Sequence, residues 1–338
     1  MKELLKELCL INGVSGDESA VREYIISKVK EFCEYRIDTL GSLICFRRGR
    51  KSSDRKLMIC AHMDEVGFIV TYINPDGTLC FDEVGGVTTT VAIGRQVRVG
   101  KSGIAGVVGS TAVHNLSKEQ KEKAPDYDAM YIDIGAKDRD EAMKYVSPGD
   151  CVYFDSEFTE FGANIKSKAI DDRVGCAMMI RLIQEEPEYD TYFVFNVQEE
   201  IGLRGSGASA FSVAPDFAIV LEATTAADID GVSGAKRVCR LGDGPVISYM
   251  DRRTIYDRGL YDLAMDTAKE LRICCQTKTK VAGGNDAGAI HISGSGVRTI
   301  ALSLPCRYLH SASCVIAERD LEPSYKLVKR LSERIHEL

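Results

Sequence analysis

The sequence predicts an α/β protein, a mostly parallel sheet flanked by helices and interrupted by an inserted β-rich module. Four runs, KLMICAH (56–62), YFVFNVQ (192–198), DFAIVLE (216–222) and VRTIALSLP (297–305), are almost continuously apolar. Strands buried on both faces of a parallel sheet read this way. Helical periods alternate with the later runs: DDRVGCAMMIRLIQEE places Val174, Ala177, Met178 and Leu182 on one side, GLYDLAMDTAKEL follows, and a last helix starts near Asp320. Such alternation implies helices covering the sheet. The texture changes between Val66 and Phe161, where short β-rich runs (GFIVTYI, TLCF, VAIGRQVRV, GIAGVVG, MYIDIG, CVYF) are separated by turn signals such as NPDG and SPGD.

Each end of the chain fits this division. Leu4, Leu5, Leu8 and Cys9 share one helical stripe, and SGDESAVREYIISKVKEF opens with capping-type residues before a helical period. A strand is expected around SLICF (42–46). Residues 1–65 and 162–338 are therefore expected to form one domain, with 66–161 inserted as an all-β domain. The sequence contains no internal repeat.

Composition narrows the partners. The 338 residues are 45% hydrophobic and 28% charged, with a formal net charge of -7. That balance describes a water-soluble core-forming chain and argues against nucleic acid or anionic membrane, both of which recruit basic surfaces. No stretch approaches the roughly 20 apolar residues of a membrane span. Twelve cysteines are scattered without a CxxC pair, which favours reduced thiols and a cytoplasmic location.

Ligands of open α/β sheets bind beyond the carboxyl ends of the strands. There the sequence places His62, Asp64 and Glu65 after the first run, Glu199 and Glu200 after the second, Glu222 after the third and His310 after the fourth. Asp171 and Asp172 stand before a helix. Each alone reads better as a cap, a structural histidine or solvated surface than as a ligand. Together they concentrate like charge on one rim, where a cation would relieve repulsion, and mixed His and carboxylate donors suit zinc, cobalt or manganese. In the spacing His-x-Asp, Asp64 can also accept from the outer ring nitrogen of His62. On spacing alone, a metal site and a hydrogen-bonded acidic rim both stay open.

The blocks INGVSGDESAVREYI, AHMDEVGFIV, KAIDDRVGCA, VQEEIGLRG, LEATTAAD, GGNDAGAIH and PCRYLHS resemble the dinuclear metallo-aminopeptidases of peptidase family forty-two, some of which carry an endoglucanase label. The resemblance runs nearly the whole chain. It implies a zinc-peptidase-like catalytic domain and two divalent metal ions, zinc foremost, with cobalt or manganese as alternatives. One metal would be held by His62 with Asp64 behind it; Asp171 would bridge both, across a cis Asp171–Asp172 peptide. Glu200 and His310 would complete the second metal. Glu222 would fill a position where many members carry Asp. Glu199 would be the general base activating a bridging water, and short peptides would lose their N-terminal residues. The β-rich insertion matches the family's dimerisation domain, implying self-association from a dimer up to a dodecamer.

Two other readings compete. A glycoside hydrolase also uses paired carboxylates, but the chain has no Trp to build a sugar platform. A catalytically silent assembly protein on the same fold would have lost the base, whereas Glu199 is present. Asp286, after the glycine pair Gly283-Gly284, and Met250 to Arg253 are expected near a substrate pocket. His114, His291 and His336 are expected at the surface or in a supporting place behind the ligands, not as ligands.

Overall fold

The computed structural model describes residues 1–338. Its eight-stranded sheet runs in the order Glu34–Ile37, Leu43–Arg47, Thr191–Asn196, Leu57–His62, Phe217–Thr225, Arg298–Cys306, Val246–Ile247, Gln276–Thr277. The four predicted apolar runs form its centre and pair parallel with one another. The sheet is mixed, with four of its seven strand pairings parallel. Leu43–Arg47 runs antiparallel to both its neighbours, and Val246–Ile247 runs antiparallel to Arg298–Cys306. Those edges carry short or exposed strands; Glu34–Ile37 is exposed throughout, so no apolar pattern announces it.

The central strands are buried along nearly their whole length, and the long helices Ile170–Gln184, Arg258–Glu270 and Leu321–Arg334 pack on the sheet. Ile170–Gln184 is buried at almost every position because Lys2–Leu10 and Ser19–Val29 cover its far side. Its all-round apolar character identifies a fully enclosed helix rather than a surface one.

The insertion folds as a closed six-stranded antiparallel barrel, with strands Gly67–Ile73, Leu79–Val84, Gln96–Val99, Ile104–Ser110, Met130–Asp133 and Cys151–Phe154. All six predicted β runs contribute a strand. Closure removes the exposed edges that a six-stranded open sheet would present. Alternation fills the interior: Val97 and Val99 point in while Gln96 and Arg98 face out. Phe68, Phe81 and Phe154 form its centre, with Phe68 ring centroids 5.1 and 5.3 Å from the other two. The module is not purely β, since one-turn helices at Thr89–Ala92, Lys118–Lys121 and Arg139–Ala142 bridge its strands. Its core is distinct from that of the large sheet. After the barrel, Thr159–Phe161 and Asn164–Ser167 form a small sheet with Cys314–Ala317, tying the returning chain to the segment that follows His310.

Candidate functional site

The central parallel strands end on one rim, and the acids and histidines gather there. His62 is the last residue of its strand and is buried, as is Asp64. Glu222 lies within its strand rather than after it, because pairing with Arg298–Cys306 continues to Thr225. Glu199 and Glu200 follow Thr191–Asn196 through Gln198, whose φ of +57° is left-handed. Such a conformation is costly for a non-glycine residue and clusters at functional turns.

What holds this turn is Asp64. Its carboxylate accepts the main-chain N–H of Glu199 at 3.0 Å, that of Glu200 at 3.1 Å, and the Ser15 hydroxyl at 2.6 Å. The His62 ring also meets Asp64, with Nδ1 3.0 Å from the Asp64 main-chain carbonyl and 3.4 Å from its Oδ1. So Asp64 both orients the ring, leaving Nε2 to face Asp171 and Glu222, and clamps the two glutamates. The sequence pointed to the first task alone.

Asp171 stands between two histidines. Its Oδ1 is 3.4 Å from His62 Nε2 and its Oδ2 is 3.7 Å from His310 Nε2. Glu222 reaches the His62 side at 3.8 Å, and Glu200 reaches His310 Nε2 at 3.3 Å. His310 is itself fixed by its Nδ1, 3.0 Å from the Gly86 carbonyl in the loop after the second barrel strand. The Asp171–Asp172 peptide is cis. Two groups of donor atoms result, each within 4.8 Å of one another: His62, Asp171 and Glu200, and His62, Asp172 and Glu222.

Asp172 was not foreseen as a donor. One of its oxygens accepts the Gly175 N–H at 2.9 Å, while the other is buried without a partner. A Cβ on Gly175 would stand 2.4 Å from that free oxygen, so only glycine leaves room for it. Glu222 Oε1 is likewise buried and unpartnered.

The charges confirm the strain of the arrangement. Burial pushes the carboxyls of Glu199, Glu200, Glu222 and Asp172 well above the usual range, and His62 offsets it in part. Burial works against a charged His62, yet Asp171 and Asp64 outweigh it and hold the ring well above its ordinary value. Buried like-charged acids either take up protons or face a cation. Two imidazole nitrogens, a carboxylate facing both, and two orphaned carboxylate oxygens form a donor set that fits divalent metal.

A buried ionic layer supports the rim from behind. Arg173 donates to the carbonyls of Met63 at 2.8 Å, Leu8 at 2.6 Å and Ile11 at 3.0 Å. Glu65 accepts from Lys168 at 2.6 Å and from the Gly13 N–H at 3.0 Å. Arg173 thus ties the first helix, the residue after His62 and the Asp171-Asp172 turn together. Arg173→Met is expected to cost about 3–5 kcal/mol, because it strands buried carbonyls and removes the Arg173 guanidinium 3.7 Å from Glu65, leaving that acid Lys168 alone. Chemical denaturation of the variant checks this, with an unchanged midpoint counting against it.

Beyond the rim lies a cavity of about 710 Å³. Asp171, Glu199, Glu200, Glu222 and His310 form one side; Leu203, Ala223, Val238 and Leu309 give it an apolar lining; Arg253, Gly283, Gly284 and Asn285 border it as well. Arg253 and the glycine pair therefore line the cavity. Asp286 is buried behind Asn285, accepting from Asn196 Nδ2 at 2.8 Å. The remaining histidines do other work: His336 stacks on Tyr189 at 4.2 Å, and His291 Nδ1 lies 2.7 Å from the Ala287 carbonyl.

An α/β sheet with imidazole and carboxylate donors converging at the carboxyl ends of its parallel strands, beside a cavity, is the architecture of a metal-dependent hydrolase. The chain belongs to the M42 glutamyl aminopeptidase family, whose pattern it matches over residues 41–327. It is 40% identical to a putative aminopeptidase of Acetivibrio thermocellus, over 97% of both chains. Its fold is similar to that of an aminopeptidase from Desulfurococcus kamchatkensis, with a TM-score of 0.93, 34% identity, and coverage of 98% of this chain and 94% of that one. It is also similar to the TET1 peptidase of Pyrococcus horikoshii, with a TM-score of 0.87, 33% identity and 98% of each chain covered. The protein is a peptide-bond hydrolase of the aminopeptidase type.

Proposed function

We propose that this aminopeptidase acts through two divalent ions, zinc foremost, with cobalt or manganese able to substitute. His62, Asp171 and Glu222 would hold one ion, with Asp172 beside them, and Asp171, Glu200 and His310 the other. The observation that carries this reading is the Asp171 carboxylate, whose two oxygens each face a different histidine. When bound, such a pair supplies Lewis-acid polarisation of the scissile carbonyl and a water ionised near neutral pH.

The chain's own residues do the rest. Glu199, which makes no contact with either histidine, takes the proton from the attacking water and passes it to the leaving amine. Asp64 keeps Glu199 and Glu200 in register through their N–H groups. The acidic side of the cavity receives the free α-amine, which restricts cleavage to N-termini. Hydrolysis of aminoacyl-nitroanilides should vanish on chelation and return when zinc, cobalt or manganese is restored. Cleavage of cellulose that survives chelation would overturn the reading in favour of a glycosidase.

The segment 66–161, whose residues 67–154 form the barrel, serves as a dimerisation domain on a catalytic domain made of 1–65 and 162–338. Its separate core and closed architecture support an independent unit. The P. horikoshii TET1 peptidase assembles into a tetrahedron or a large octahedral shell, and assembly from dimer to dodecamer is proposed here by that likeness. Short peptides are the substrates, and the cytoplasm is the proposed location; no helix is long and apolar enough to cross a membrane.

A further inference from the structure

The cavity has two electrostatic sides. Facing its acids, Lys236, Arg253, Lys278 and Lys280 also line it. None of the four forms an ion pair among the described residues. Lys278 alone has a side-chain hydrogen bond, donated to the Ala282 carbonyl at 3.1 Å. Four cations and four carboxylates therefore line one cavity without pairing with each other. Free cations in such a place raise the local concentration of anions.

The placement of the cations indicates which anion. Lys236, Arg253 and Lys280 are exposed and Lys278 is half-buried, so the cations stand at the cavity's open side. Next to the rim residues Glu222 and His310, the wall is lined by the small or apolar Ala223 and Leu309. A side-chain pocket that selects acidic residues needs a cation set into its depth, and no lysine or arginine is buried there. An unblocked short peptide is a zwitterion, with an ammonium at one end and a carboxylate at the other. An extended chain advances roughly 3.3–3.6 Å per residue, so a peptide whose amine lies against the acids presents its carboxylate at the open side after a few residues.

We infer that Lys236, Arg253, Lys278 and Lys280 form a subsite for the free C-terminal carboxylate of short peptides, making the enzyme selective for zwitterionic substrates of a few residues. This rests on the aminopeptidase reading above. The subsite would act mainly on KM, because it touches the far end of the substrate and not the reacting bond. Exposed ion pairs are individually weak and screened by salt.

The test uses the metal-loaded full-length protein and four substrates: Leu-Gly-Gly, its C-terminal amide, Leu-nitroanilide and Glu-nitroanilide. The free tripeptide is expected to exceed its amide in kcat/KM by about 5-fold at low salt, the gap closing at high ionic strength. In the double variant Lys278→Met, Arg253→Met, the ratio of free peptide to amide should fall towards one; a ratio taken within one variant is insensitive to partial misfolding. Equal rates for free and amidated peptide in the unaltered protein overturn the inference. A preference for Glu- over Leu-nitroanilide with no effect of amidation also overturns it, reassigning the cations to the first side chain. A metal-loaded protein that cleaves none of the four overturns the aminopeptidase reading, and this inference with it.

Discussion

Glu199→Gln is expected to lower kcat on a neutral aminoacyl-nitroanilide by about 10³-fold, within the span general bases contribute, while KM changes by no more than a few-fold. Gln keeps the length of the side chain and the main-chain N–H that Asp64 holds at 3.0 Å. The turn should therefore persist, as should the positions of His62, Asp171 and His310. What disappears is the ability to accept a proton from water and return it to the amine. Metal content per chain and thermal midpoint should match those of the unaltered protein. Glu200→Gln makes the contrast. Glu200 lies 3.3 Å from His310 Nε2, so its loss should appear first as lowered metal content. Adjacent acids with separable phenotypes, one in chemistry and one in metal retention, are the signature of the proposed division of labour. A Glu199→Gln protein keeping more than a tenth of its activity would sink the base assignment.

The functional rim was largely legible because parallel strands deliver their last residues to one edge, and each run announced its end with a polar residue. His62, Asp171, Glu200, Glu222 and His310 do meet in the fold, which the spacing of single motifs could not establish. What stayed hidden depends on approach rather than on pattern. Asp172 reads as a helix cap, and part of it is one; its other oxygen faces the cluster because Gly175 leaves space. The helix Arg204–Val213 carries two glycines and several serines, poor helix formers by propensity. It forms because Gly205 lets its first turn pack on the strand end, where a Cβ would lie 2.5 Å from the Val197 carbonyl. The cationic side of the cavity comes from three separate loop segments, and loops give no periodic signal of what they will face. The two-residue strands Val246–Ile247 and Gln276–Thr277 are too short to show any period.

Asp171→Asn should shrink or abolish the stabilisation that metal gives, and the loss follows from the charge balance at the rim. Without metal, Asp171 is one of several acids crowded at partly or fully buried positions, and replacing it with a neutral amide of equal size relieves repulsion among them while giving up its pairing with His62 and His310. These opposed effects leave the metal-free variant expected to lie close to the metal-free parent in stability. With metal, the parent gains what binding contributes: about 2.7 kcal/mol per site at a free concentration one hundred times Kd. Asn can offer only its carbonyl oxygen where the carboxylate offered two, so it serves one histidine side at most. Metal content should drop below two ions per chain, activity should fall by about 10³-fold or more, and the metal-induced rise in thermal midpoint should shrink or vanish. Thermal melts of parent and variant, each with chelator and with zinc, give the four midpoints needed. If Asp171→Asn lowers the metal-free midpoint as much as the metal-loaded one, Asp171 is a structural acid and the shared-carboxylate centre is wrong. If only the metal-loaded midpoint falls, the carboxylate facing both histidines is there for the ions.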